Sequence, residues 1–85
     1  MSWEDRSARI DHEGPDLLWQ QVAADLREDI KSGALRAGAK LPGELELAAI
    51  YGVARVTVRR AAMELRDEGL VTVTHGRGTF VTKRR

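Results

Sequence analysis

Arg55 and Arg59 stand four positions apart in the run Arg55-Val-Thr-Val-Arg-Arg60. If that run is helical, both guanidinium groups lie on one face. No acid on that helix lies at i±3 or i±4 of either: Val58 neighbours Arg55, the two arginines neighbour each other, and Val56, Ala62 and Met63 surround Arg59. Both arginines also fall in the first turns, where the helix dipole favours anions, while Glu64, Asp67 and Glu68 gather at the opposite end. The helix is charged against its own dipole. Two readings account for this: an external anion docks at the helix N-terminus, or acids from elsewhere in the fold pair with the arginines. Arg60 differs, because Glu64 at i+4 predicts a local ion pair.

The second group is the tip Thr74-His75-Gly76-Arg77-Gly78-Thr79. Its glycines allow positive φ and close approach to another chain, and Arg77 stands at the apex, where the fold gains nothing from it. An arginine so placed suits the minor groove of a duplex; the alternative is a tight turn carrying a solvated arginine. His75 reads as a phosphate donor or a hairpin residue. Thr57 could bond a phosphate or cap the helix in place of Ala54. Val56 could touch a thymine methyl or be incidental surface.

Charge is unevenly spread. Residues 1–54 carry six Lys/Arg against ten Asp/Glu, a balance of −4, and residues 55–85 carry eight against three, a balance of +5. A basic C-terminal third fits a polyanion partner or a solvated tail. With 85 residues the chain holds one domain. No apolar run is long enough to span a membrane, and no signal-peptide pattern is present, so we read the chain as soluble and cytoplasmic. The absence of cysteine excludes a disulfide scaffold and a thiolate metal site. His12 and His75 have no ligand spacing, and no nucleophile, base and acid cluster together. We therefore expect no metal, no cofactor and no catalysis.

The elements that must position these residues follow from periodicity. Residues 1–14 show no period and read as a flexible N-terminal arm, in which Trp3 is a docking residue whose place a single aromatic does not define. Pro15-Asp16 opens a first helix, with Asp16 as N-cap, whose apolar face is Trp19, Val22, Ala23, Leu26 and Ile30; Ser32-Gly33 ends it. Residues 34–41 suit a short edge strand. Pro42-Gly43 begins a second helix, with Gly43 as N-cap and Leu45, Leu47, Ala48 and Ile50 as apolar surface, which breaks at Tyr51-Gly52-Val53. The third helix runs from about 54 to 68, buries Val58, Ala61, Ala62 and Leu65, and ends at Gly69. From Leu70 the period changes to two, giving a β-hairpin with Phe80 in its core. The fold class is α+β: a winged helix-turn-helix over residues 15–82, with three helices, a C-terminal hairpin wing and a short strand between the first and second helices. Residues 83–85 form a basic tail.

These residues resemble a known family. Leu41-Pro-Gly-Glu-Leu-Glu-Leu-Ala48, Tyr51-Gly-Val-Ala-Arg-Val-Thr-Val-Arg59, Leu65-Arg-Asp-Glu-Gly-Leu70 and His75-Gly-Arg-Gly-Thr-Phe-Val81 look like the DNA-binding domain of GntR-family bacterial transcription regulators. The resemblance covers about residues 16–82. It implies a winged helix that binds double-stranded operator DNA, usually as a homodimer on a palindrome, and repression by occlusion. It places the counterparts of Arg55, Thr57 and Arg59 at the major groove and its phosphates, and those of His75, Gly76 and Arg77 in a wing (74–79, with Gly78) at the minor groove. Gly43 at a helix N-terminus, Lys40, Lys83, Arg84 and Arg85 are candidate phosphate contacts.

Three positions depart from the family pattern. Gly43 stands where serine is usual, Leu45 where arginine is frequent and contacts DNA, and Ala54 where serine or threonine is common. Family members usually carry a further C-terminal domain that binds an effector and dimerises. No effector site is visible in this chain, which is either a standalone module or an N-terminal piece; Met1 favours a natural N-terminus. Rival readings are a winged helix used for protein contact, which would place an apolar patch on the third helix, and RNA binding, which would call for paired aromatics.

Overall fold

Val22, Ala23, Leu26 and Ile30 recur at helical spacing, and all four are buried on one face of α1 (Leu18–Ser32). Val58, Ala61 and Leu65 do the same on α3 (Arg55–Asp67), and α1 and α3 pack against each other around them. Between them in the chain comes α2 (Glu44–Tyr51), which packs on α3 and buries Leu47, Ala48 and Tyr51. The strands β1 (Val71–Thr74) and β2 (Gly78–Val81) pair antiparallel, with Val71 opposite Val81 and Thr74 opposite Gly78. The computed structural model describes residues 3–14 and 16–83. Three helices and a two-stranded wing are the expected architecture.

Several details differ from expectation. The first helix begins at Leu18 with no side-chain cap, so Asp16 is not its N-cap; Pro15 lies outside the described residues. Residues 34–41 form no full strand. A single bridge joins Lys40 to Phe80, flanked by backbone bonds from Val81 N–H to Ala39 O (2.8 Å) and from Leu41 N–H to Thr79 O (2.8 Å). Glycines at 33 and 38 hold positive φ there and cut the extended run short. Ala62 and Phe80 are half-buried, and Leu45 is exposed. Tyr51, read as a break, is instead the largest fully buried side chain. Of the basic tail, Arg84 and Arg85 lie outside the described residues.

The largest correction concerns the arm. Residues 3–14 are packed on α1 and α2, and include a 3-10 turn at Ser7–Arg9. Ile10 joins the core, and Trp3 packs against it. Arg6 is only 4% exposed. One of its terminal nitrogens donates to Asp25 Oδ2 (2.8 Å) and Asp29 Oδ2 (2.7 Å) on α1, and to Tyr51 Oη (3.0 Å) on α2. Tyr51 donates in turn to Asp25 Oδ2 (2.6 Å), and the guanidinium stacks over the Trp3 ring at 4.5 Å. Arg6 N–H also donates to Ile50 O (2.7 Å), and His12 Nε2 meets Gly52 O (3.0 Å). Gly52 is the αL residue that turns the chain from α2 toward α3. The segment therefore braces the helix-turn-helix from behind. No periodicity announces it, because the partners of Arg6 lie 19 to 45 positions away.

Two predictions follow from this brace. Removing one member of a buried ion cluster leaves the others uncompensated, which typically costs about 3 kcal/mol or more. Against a total stability of about 5 kcal/mol for so short a chain, Arg6→Met should shift the urea midpoint far downward; an unchanged midpoint would show that the brace is decorative. The second concerns acid. Burial alone would raise the Asp25 carboxyl, but the Tyr51 hydroxyl, Arg9 and Arg6 together hold it below its ordinary value. A depressed folded pKa adds stability that is complete above the unfolded value of about 3.9 and is lost as pH falls through the folded one. Stability measured from pH 6 to pH 2 should therefore decline below about pH 4, and Asp25→Asn should flatten that limb. An equally steep limb in the variant would assign the acid loss elsewhere.

Candidate nucleic-acid interface

The first turn of α3 carries no acid, and Ala54, its N-cap, makes no side-chain cap bond. The capping role open to Thr57 is not realised either: its N–H bonds back to Ala54 O (3.0 Å), and its half-buried side chain leaves the helix end uncapped. Arg55 and Arg59 are about half exposed and turn toward α2. There Glu44, the first residue of α2, accepts two parallel bonds from Arg59, Nε to Oε2 and Nη2 to Oε1, both 3.0 Å. Arg55 Nη2 reaches the same Oε1 at 3.4 Å. The second of the two sequence readings is thus the one realised in the free chain: an acid from elsewhere in the fold pairs with both arginines.

One carboxylate shared by two guanidinium groups leaves a net positive charge. Glu44 sits at the positive end of its own helix, which also favours its ionised form. The bidentate bond from Arg59 holds its carboxyl below the usual carboxylate range, with Arg55 adding to the effect. Such an exposed pair is weak in water. A bidentate bond to a guanine edge or a phosphate is stronger. The arrangement therefore stores two arginines in a defined pose and can exchange Glu44 for another anion.

Arg60 does not pair with Glu64 among the described residues. It stacks over the Trp19 ring of α1 at 4.5 Å. Glu68, at the end of α3, is held by Arg27 of α1 through Nε (2.8 Å) and Nη2 (2.5 Å). Part of the unfavourable charge at that end is thus taken up by the neighbouring helix.

Beside α3 stands the wing. Its turn closes with Arg77 N–H on Thr74 O (2.9 Å), and Gly76 takes the positive φ that such a turn demands at its third residue. His75 and Arg77 project into solvent. The Lys40 side chain lies along β2 toward the turn of the wing: a Cβ on Gly78 would come within 2.9 Å of its Cε. Between α3, the start of α2 and the wing runs an open cleft of about 840 Å³. It brings together Arg59, Lys40, Gly43 and the wing residues His75, Gly76, Arg77 and Gly78. Arg55, Val56 and Thr57 do not line it and lie at the N-terminal end of α3 instead. Glu44, Met63, Arg66 and Val73 also line the cleft and were not foreseen. For Glu44 a signal exists in retrospect, since an acid at the first position of α2 faces α3 once the two helices are folded across a tight turn.

Comparison with known proteins fits this geometry. The model of the family described as "Bacterial regulatory proteins, gntR family" matches residues 18–81. The HTH-type transcriptional repressor NagR of Bacillus subtilis is 40% identical over 74 residues, covering 87% of this chain and 30% of that protein. The histidine utilization repressor of Klebsiella aerogenes is 41% identical over 69 residues, covering 81% and 29%. The chain thus spans less than a third of the curated relatives it matches. Among solved structures, YtrA from Sulfolobus acidocaldarius, a GntR-family transcription factor, superposes with a TM-score of 0.83 at 35% identity, covering 93% of this chain and 83% of that one. The AraR DNA-binding domain in complex with operator ORX1 gives 0.76 at 32% identity, covering 86% and 94%. With three helices, a two-stranded wing and basic side chains on α3 and the wing tip, the chain belongs to the GntR family of transcription regulators and is a winged-helix DNA-binding domain of that family.

Proposed function

We propose that this domain binds a palindromic operator as a homodimer in the bacterial cytoplasm and represses by occluding the promoter. In this reading α3 enters the major groove, where Arg55 and Arg59 leave Glu44 for guanine edges or phosphates. The wing tip, with Arg77 at its apex, lies along the adjacent minor groove. Lys40, Thr57, His75 and the α2 N-terminus at Gly43 hold phosphates. The observation that carries the reading is the pair of half-exposed arginines parked on one exchangeable carboxylate at the uncapped start of α3. The operator named in the AraR complex and the repressor names of two relatives support it.

Selection from a random duplex pool tests the proposal. A palindrome should emerge whose half-sites lie about one helical turn apart. Binding should weaken as salt rises, because phosphate contacts release counterions. Arg55→Ala should lower affinity for the selected site at least about fivefold, and should weaken random DNA by a smaller factor, because only the charge term is lost there. Absence of enrichment even at low salt would overturn the reading in favour of protein contact.

Glu44 yields a separate prediction. Glu44→Gln removes a negative charge from a surface that faces phosphates, so binding to random DNA should strengthen severalfold and its salt dependence steepen. Discrimination between the selected site and random DNA should shrink, because the arginines lose the group that orients them. Equal weakening on both DNAs would show that Glu44 contacts the duplex directly.

A further inference from the structure

Leu45 (67% exposed) and Val56 (65%) are the most exposed large apolar side chains among the described residues. Each is the second residue of its helix, Leu45 in α2 and Val56 in α3. Each follows in sequence one member of the Glu44–Arg55 ion pair, so the pair brings the two helix starts together. Folding does not explain either residue. The core is closed by Leu47, Ala48 and Tyr51 from α2 and by Val58, Ala61 and Leu65 from α3, and neither Leu45 nor Val56 packs against it. Valine is also a poorer helix former than the straight-chain residues that suit an exposed site.

The surroundings say what covers this pair. Arg55 and Arg59 both bond Glu44, the residue before Leu45, Val56 lies in the uncapped first turn of α3, and the balance of residues 55–85 is strongly basic. The occupant is a polyanion. In the major groove of duplex DNA the base edges offer one apolar group, the C5-methyl of thymine. The geometry points to Leu45 and Val56 as specificity-determining residues that read thymine methyl groups beside the positions contacted by Arg55 and Arg59. This assignment rests on the operator-binding reading above and adds a base preference to it. Leu45 supplies shape and methyl contact where a polar side chain would supply hydrogen bonds, so operators of this protein carry thymine at positions that a polar residue would not select.

The test uses the duplex selected by this same chain. Each thymine is replaced in turn by deoxyuridine, which removes the methyl and leaves pairing intact. Affinity should fall about fourfold for each methyl that Leu45 or Val56 covers, at one or two thymines per half-site. Leu45→Ala and Val56→Ala should each bind more weakly and lose sensitivity to deoxyuridine at its own position. Because both side chains are exposed, the variants should unfold at or slightly above the wild-type temperature, alanine being the better helix former, which separates lost contact from lost fold. Wild-type affinity unchanged by deoxyuridine at every thymine, or a sensitivity that survives both substitutions, would overturn the assignment while leaving operator binding intact. Failure of the wild-type chain to enrich any duplex would overturn operator binding, and this assignment with it.

Discussion

An arginine that is only 4% exposed cannot remain unpaired, and the pairing of Arg6 organises much of this molecule. Its guanidinium is held by two aspartates of α1 and the hydroxyl of Tyr51 in α2, with Trp3 stacked over it. Burial would lower its pKa, but the bonds to Asp29 and Tyr51 raise it above the ordinary value, so the charge is permanent. Burial and the bond to Asp25 likewise keep the Tyr51 hydroxyl protonated. Three segments from different parts of the chain converge on this one cation. Tyr51, the last residue of α2, is fixed by Asp25 and Arg6, and the turn at Gly52 follows directly with its carbonyl held by His12. Where α3 points depends on that turn.

The same physics acts with opposite emphasis at the interface. Around Arg6 the ions are buried, so breaking the cluster leaves uncompensated charge. Around Glu44 they are exposed to water, so exchange is easy. The buried cluster makes a rigid frame. The exposed one holds Arg55 and Arg59 close to a defined pose without committing them. The stack of Arg60 on Trp19 ties a third arginine of α3 to α1.

Much of the fold was legible. Val22, Ala23, Leu26 and Ile30 of α1, and Val58, Ala61 and Leu65 of α3, are buried as their spacing requires. Gly43 caps α2, with its N–H on Glu46 Oε1 at 3.3 Å, and the hairpin follows the change of period after Gly69. The candidate site was legible in its residue types and less so in its pairings. The i, i+4 rule predicted Arg60 with Glu64, yet an aromatic face on another helix captured the arginine. The same rule left Arg55 and Arg59 without acids, because Glu44 lies 11 and 15 positions upstream.

Sequence by itself determined the helices, the hairpin and the basic character of the third helix, since these depend on neighbours within a turn or a strand pair. Tertiary structure alone decided that residues 3–14 are a brace, that Glu44 holds the two arginines, and that Leu45 faces out while Tyr51 faces in. The physical reason is range. Backbone bonding and side-chain periodicity act over a few positions and leave a pattern in the sequence. Ion pairs and burial join residues that only the packed helices bring within 3 to 5 Å, and no local spacing records them.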